Sequence, residues 1–345
     1  MPRDYDAISR YNEEQLGKDR KSRMSQVAMY ADTAHFVYEL LQNADDAGAT
    51  EISFVLGSDG LVVEHNGEPF DEEDVRAISY FGKGKTEVTA IGHFGLGFKS
   101  VFAYTASPRI HSTEDDFELV DLYTLRSVDR PRDLPKGRTR FILPFDHVHR
   151  RPVYIEVSKL KRADKARAEI GSKLKALGGA TLLFTKTLRE IQWSDGRSSG
   201  QYLREDTPLR GGGRETLIVS GDAGDQYFLV YERAIAWPDD DGVDSERRPI
   251  AVAVELNKSY KSGGRVHGPD ARKLWVFFPT DKETHVGWII QGPYRTTPAR
   301  DNVPADDEFN RHLVAETATL LRHSLNAIRP LGVVDADLLS RLPLD

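Results

Sequence analysis

The sequence predicts an α+β protein: a mixed sheet with helices on one face, followed by a smaller second α/β domain. Three observations carry that expectation. Over the first 185 residues the hydrophobic patterning runs helix, hairpin, helix, loop, helix, then several strands, an order that suits helices layered on a sheet. Residues 194–214 turn polar and glycine-rich, as linkers and long hairpin loops are, and strand patterns resume beyond them. A chain of 345 residues also exceeds a usual domain of ~100–200. The expected division is a first domain over 1–193, a linker or long loop over 194–214, a second domain over 215–330 and a short tail over 331–345.

Each element has its own reason. Residues 6–27 are polar with scattered apolar points (Ile8, Tyr11, Leu16, Met24), which reads as one or two short helices. In 30–47 the apolar residues Phe36, Val37, Leu40, Leu41 and Ala44 fall at helical spacing, and Gly48 is a C-terminal stop. Residues 51–56 and 61–65 alternate like strands around a Gly57-Ser58-Asp59-Gly60 turn, so they form a hairpin. Four carboxylates, Asp71 to Asp74, open a further helix where the helix dipole favours negative charge. Residues 79–91 hold too much glycine and too little apolar content to pack, and read as a mobile loop. A helix is expected after the glycines of 92–97, then strands near 108–112, 117–125 and 138–144, a helix over 159–177 and an apolar strand over 180–185. In the second domain, strands are expected over 216–219, 226–232, 250–256 and 274–279, with charged loops at 238–248 and 257–272. A closing helix spans 306–329, opened by Asp306 and Asp307 and striped by Phe309, Leu313, Leu320, Leu325 and Ile328.

Composition limits the function classes. Hydrophobic content of 39% and charged content of 29% fit a soluble globular protein, and a net charge of −7 argues against a chain-wide surface for nucleic acid or anionic lipid. There is no cysteine, which excludes disulfides and thiolate metal sites and fits a reducing, cytoplasmic setting. No run approaches the ~18 apolar residues of a membrane helix. No metal-binding histidine spacing and no nucleophile elbow occurs.

Two stretches carry chemistry. On a helix over 30–47, Glu39, Asn43 and Asp46 are four and three residues apart and share a face. Hard oxygen donors of this kind suit Mg²⁺ better than zinc or copper; an ordinary solvated helix face is the bland alternative. The second stretch is Gly92-His93-Phe94-Gly95-Leu96-Gly97-Phe98-Lys99-Ser100. Glycines let backbone N–H groups approach an anion, and Lys99 with Lys83 and Lys85 adds cations in reach of phosphate oxygens. Neither the dinucleotide-binding glycine order nor a P-loop is present, and a glycine trio alone is often only a tight turn.

The ordered combination of Glu39-x-x-x-Asn43-x-x-Asp46-Ala47, a strand ending at His65-Asn66-Gly67, a glycine and lysine loop, and the second glycine stretch resembles the GHKL superfamily of ATPases. That superfamily includes gyrase, the large heat-shock chaperone, histidine kinases and MutL, and the closest likeness is to the N-terminal ATP-binding domain of sacsin-type proteins. Residues 39–47 look like the family's N-box, 94–100 like its second glycine box, and Gly137-Arg138-Thr139-Arg140-Phe141 like the strand whose threonine lies in the nucleotide pocket. These motifs span roughly 30–145. Residues 291–302, with Arg300 ahead of Asp301, are similar to the chaperone's middle-domain loop that presents an arginine to the γ-phosphate; surface pairing of Arg300 or Arg295 with Asp301 or Asp307 is the bland alternative.

The resemblance implies a Bergerat-type α/β sandwich and a chaperone-like middle segment, with ATP and Mg²⁺ as cofactors and slow ATP hydrolysis. In that scheme Glu39 is the general base, Asn43 holds Mg²⁺, and Asp46 orients Asn43 or a metal-bound water. Ala47, His65, Asn66, Gly67, Lys83, Lys85, Gly92, His93, Phe94, Gly95, Leu96, Gly97, Phe98, Lys99, Ser100 and Thr139 line the nucleotide, the 82–91 loop closes over it, and Arg300 completes the site. One departure stands out. The first glycine box of the family begins with an aspartate that accepts from the adenine amino group, and here the stretch reads His65-Asn66-Gly67, where a neutral imidazole or the Asn66 amide would have to accept instead. The implied partners are a protein client or partner subunit, with ATP-dependent homodimerisation. The resemblance also links the chain to chaperone-like or defence work. Two alternatives stand beside the ATP-driven switch: a MutL-like clamp on DNA, and a nucleotide-binding scaffold without turnover. Basic residues cluster over 126–140 and 150–167, where a solvated surface is favoured over a nucleic-acid groove.

Overall fold

A computed structural model describes residues 3–16, 36–80, 98–221, 224–235, 248–269, 271–297, 302–340 and 342. The chain divides into two compact units, one made of 1–178 and 186–201, the other of 179–185 and 202–345.

In the first unit the described helices are α1 (Tyr5–Leu16), α2 (Phe36–Asp46), α3 (Glu72–Ser79), the single turn α4 (His147–Arg150) and α5 (Ala163–Lys175). The strands are β1 (Glu51–Leu56), β2 (Gly60–His65), β3 (Arg109–Ser112), β4 (Asp115–Val120), β5 (Thr124–Ser127), β6 (Thr139–Pro144) and β7 (Glu190–Ser194). Their order in the sheet is β7-β1-β2-β6-β3-β4-β5. The β1–β7 pair is parallel and the others are antiparallel, so the sheet is mixed, as expected.

Alternation along the strands sorts the two faces. Ile52, Phe54 and Leu56 on β1, Leu61 and Val63 on β2, Ile110 on β3 and Phe141 and Leu143 on β6 are buried, while the intervening residues are less so. The helices cover the buried face. A Cβ on Gly171 of α5 would lie 3.4 Å from Leu56 Cδ2. Phe98, in a 3-10 turn over Phe98–Ala103, packs its ring 5.8 Å from that of Phe141, and Tyr104 just beyond packs 5.2 Å from Phe36 of α2. Helix α3 starts at a capping box, Asp71 and Asp74 each accepting the other's backbone N–H. Asn12 of α1 donates to Ser79 Oγ at 3.1 Å and to the Tyr123 carbonyl at 3.2 Å, which ties α1 to α3 and the β4–β5 turn.

The second unit has β8 (Ser199–Pro208, entered from the first unit), β9 (Arg214–Ser220), β10 (Gln226–Ile235), β11 (Arg248–Leu256), β12 (Lys273–Val276), β13 (Phe278–Glu283) and β14 (Ile289–Gln291), in the order β13-β12-β14-β11-β10-β9-β8. Helix α6 (Glu308–Ile328) packs on β10 and β11, and the short α7 (Ala336–Ser340) follows. Buried Asn310 fixes the start of α6 by accepting the Arg295 N–H at 2.8 Å and donating to the Arg295 and Pro304 carbonyls.

The α+β class stands, and four local expectations do not. Residues 194–214 are mainly strand, not linker: β8 pairs with β9 across the 209–213 turn. Residues 180–185 form no strand, because a 3-10 turn over Gly179–Leu182 presses against β9; a Cβ on Gly179 would meet Ile218 Cγ2 at 2.4 Å. The run 117–125 splits into β4 and β5 at Asp121 and Leu122, both with positive φ (51° and 75°). The run 274–279 likewise splits, at Phe277 (φ 64°), whose N–H donates to Gln291 Oε1.

Candidate functional site

Of the sequence-predicted site residues, Glu39, Asn43, Asp46, Ala47, His65, Asn66, Gly67, Phe98, Lys99, Ser100 and Thr139 are described; Lys83, Lys85, Gly92, His93, Phe94, Gly95, Leu96, Gly97 and Arg300 lie outside the described residues.

Helix α2 forms because Phe36, Val37, Leu40, Leu41 and Ala44 give it one continuous buried stripe. Glu39 is half-buried on the rim of that stripe, and Asn43 and Asp46 are exposed. Asp46 is engaged elsewhere: its carboxylate meets Lys186 Nζ at 2.8 Å rather than Asn43. The neighbour that sequence reasoning missed is Asp45. Buried, it accepts from the N–H groups of Lys186, Thr187 and Leu188 at 2.8–2.9 Å and from Thr187 Oγ1 at 3.0 Å. Negative charge is unfavourable at a helix C-terminus, and these charge-assisted bonds offset it. The only sequence signal was an extra carboxylate beside Asp46.

The C-terminus of α2 meets the end of β2. The Ala47 carbonyl accepts from Glu68 N–H at 2.7 Å, and a Cβ on Gly67 would meet that oxygen at 2.7 Å. Only glycine allows this approach. At the same end of the sheet His65, Thr139 and Ser112 lie side by side across β2, β6 and β3, each nearly or wholly buried. Thr139 and Ser112 share a hydrogen bond between hydroxyls at 2.7 Å, and Ser112 Oγ accepts from Phe70 N–H.

His65 and Asn66 cannot play the part expected of them. Gly67 donates its N–H to His65 Nδ1 at 3.1 Å, and burial pushes the imidazole down to about 4. The neutral ring therefore carries its proton on Nε2 and presents a donor, not an acceptor. Asn66 Oδ1 already accepts from Thr50 and Glu51 N–H, and its Nδ2 donates to Thr50 Oγ1. It staples β2 to the start of β1.

Lys99 is a second correction. It was expected at the phosphates, yet it is fully buried, its Nζ donating to the Leu122 carbonyl with the Phe102 ring 5.8 Å away. Burial lowers its pKa to about 7. The ammonium holds the left-handed Asp121–Leu122 turn, so the residue acts as a buried strut. Phe98 and Ser100 are buried beside it.

The basic clusters are largely paired. Arg138 meets Glu51 and Glu64, Arg140 meets Glu64 and Asp133, Arg130 meets Asp116, and Arg150 meets Glu118 and Asp146. Lys161 meets Glu169 and Arg162 meets Asp164. In the second unit Arg295 pairs with Asp307 at 3.3 Å and lies over the Phe309 ring. No described helix is long and apolar enough to cross a membrane.

Comparison with known proteins agrees with the motifs. No family model matches the chain. It is 33% identical over 331 residues to Protein NO VEIN of Arabidopsis thaliana, covering 87% of this chain and 11% of that protein. It is 39% identical over 106 residues to human sacsin, covering 25% of this chain and 2% of sacsin. The chain thus spans only a small part of either relative. Among solved structures, the ATPase domain of the mismatch repair endonuclease MutL from Aquifex aeolicus superposes with a TM-score of 0.38 at 15% identity, over 82% of this chain and 96% of that one. The resemblance to sacsin-type proteins drawn from the motifs is borne out by the match to human sacsin.

Proposed function

We propose that the chain is an ATP-binding and slowly ATP-hydrolysing module that works as a conformational switch within a larger protein or assembly. The observation that supports it most is the meeting of helix α2, bearing Glu39 and Asn43, with the sheet end that carries buried His65, Thr139 and Ser112. A buried polar row is costly in an apolar layer and suits a site that receives a polar ligand.

In this reading Glu39 orients and deprotonates the attacking water, and Asn43 offers its side-chain oxygen to Mg²⁺. The metal's chemistry is neutralisation of phosphate charge during phosphoryl transfer. The donor set fits a metal that arrives with nucleotide: among the described residues no three His, Asp or Glu side chains converge on one point, and Asn43 supplies a single hard oxygen. Thr139 and Ser112 exchange their mutual hydrogen bond for one to the ligand. With Asp46 held by Lys186, orientation of Asn43 falls to the helix itself.

Chaperone-like or defence-related work, a protein client and ATP-dependent dimerisation extend this proposal through the likeness to sacsin-type proteins. The paired arginines of 126–167 favour the protein-directed switch over a clamp on DNA. Calorimetric titration with ATP, GTP and UTP in Mg²⁺ tests the reading, with Thr139→Val alongside. Binding of ATP that Thr139→Val weakens about tenfold, on the order of 1.4 kcal/mol, supports it. Absence of binding by all three nucleotides contradicts it.

A further inference from the structure

The buried row His65, Thr139, Ser112 does not stop at β3. Asp115, the first residue of β4, is the register partner of Ser112 across the β3–β4 turn, as Ser112 is of Thr139 and Thr139 of His65. Register partners on antiparallel strands point to the same face, with Cβ atoms ~4.5–5.5 Å apart. Asp115 is 1% exposed. The row therefore ends in a buried carboxylate, and an unmatched charge there is costly.

Residues 3–5, at the start of α1 and just ahead of it, supply the match. Arg3 Nε donates to both Asp115 oxygens at 2.9 Å, and Tyr5 Oη donates to Oδ1 at 3.0 Å. The tyrosine oxygen in turn accepts Asp116 N–H at 3.2 Å, and its ring packs 5.4 Å from that of Phe117, so the hydroxyl is fixed in place. Arg3 Nη2 also donates to the Phe70 carbonyl at 3.4 Å, and Phe70 N–H donates to Ser112 Oγ at 2.9 Å. One arginine thus touches two of the groups that flank Ser112, its register partner Asp115 and its backbone donor Phe70.

A serine hydroxyl has one hydrogen to give. Two acceptors stand in register with Ser112: Thr139 Oγ1 on one side and the Asp115 carboxylate on the other. A charged acceptor draws a donor more strongly than a neutral one. With the Asp115 oxygens taken by Arg3 and Tyr5, the Ser112 hydroxyl stays with Thr139 at 2.7 Å. Without Arg3 the buried carboxylate is short of donors, and Ser112 stands beside it to supply one. We propose that Arg3 is a positioning residue for the nucleotide site: by holding Asp115 it keeps the Ser112–Thr139 pair in place for the ligand. This role rests on the nucleotide reading, in which Thr139 meets the ligand.

The test follows the Thr139 methyl signal by NMR on the full chain labelled at threonine methyls, the signal being assigned by its loss in Thr139→Val. Arg3→Met should move that signal and weaken ATP binding, read by calorimetry in Mg²⁺, about tenfold. The double variant Arg3→Met/Asp115→Leu removes the charge together with its partner, and a buried pair replaced by apolar groups is well tolerated. It should return the signal towards its wild-type position and recover most of the affinity, a rescue that a merely structural strap would not show. Arg3→Gln, which leaves a neutral donor beside Asp115, should move the signal less, and it stands in if the amide spectrum shows that Arg3→Met does not fold. A Thr139 signal that neither Arg3 variant moves, or that the double variant leaves as displaced as Arg3→Met does, would overturn the assignment. The methyl readout needs no nucleotide, so a wild type that binds none counts against the nucleotide reading alone.

Discussion

The two faces of the first sheet handle polar groups in opposite ways. On the helix-covered face polar side chains are few and deeply buried, and the row His65, Thr139, Ser112 gathers at one end, next to the C-terminus of α2. On the open face charges are many and settle one another in ladders such as Arg138–Glu64–Arg140–Asp133. A buried polar row in an apolar layer is costly, so its position points to a site. A half-exposed ladder is cheap, and individual rungs say little about function.

Breaking the covered face should cost most. Asp45→Ala removes the carboxylate that holds 186–188 to α2, and destabilisation of ~3 kcal/mol is expected in chemical denaturation. Asp45→Asn, which keeps part of the bonding, should cost less.

Lys99 sharpens the same contrast through pH. Its folded pKa is lowered to about 7 from 10.5, so the unfolded chain binds more protons between those values. Stability contributed by this group therefore rises with pH from about 7 to about 10.5, and the penalty for burying the charge is fully present below 7. Lys99→Met should flatten that slope, measured as the denaturation midpoint across the window. The same substitution leaves the Leu122 carbonyl without its donor, so part of the gain from removing a buried charge is lost. Among smaller effects, Thr139→Val should cost ~1 kcal/mol of stability through the lost hydroxyl pair with Ser112. On the open face Arg140→Met is expected to change stability by no more than ~1 kcal/mol, less in high salt. An Arg140 effect larger than that of Asp45→Ala would reverse the comparison.

Much of this was legible in the sequence. The α2 stripe, the β1–β2 hairpin, the acidic cap of α3 and the stripe of α6 follow from periodicity and capping chemistry, and all four form. Strand β8 was not legible, because Tyr202 and Arg204 are its only buried residues and no apolar alternation marks it. The inward turn of Lys99 was equally hidden: a lysine after glycines reads as a phosphate ligand, and the bond to the Leu122 carbonyl, which offsets part of the cost of its burial, is a tertiary contact. The proton position on His65 depends on the Gly67 N–H, a contact set by the turn and not by residue type. Asp45 looked equivalent to Asp46 until the 186–188 backbone supplied its donors.

The most direct test of nucleotide use is binding and phosphate release measured together on wild type, Asn43→Ala and Glu39→Ala, with and without Mg²⁺. The expected pattern is Mg²⁺-dependent ATP binding and slow release by wild type, loss of binding in Asn43→Ala, and retained binding without release in Glu39→Ala. Release that persists in Glu39→Ala, or a wild type that binds no nucleotide, would contradict the assignment of helix α2 to phosphoryl transfer.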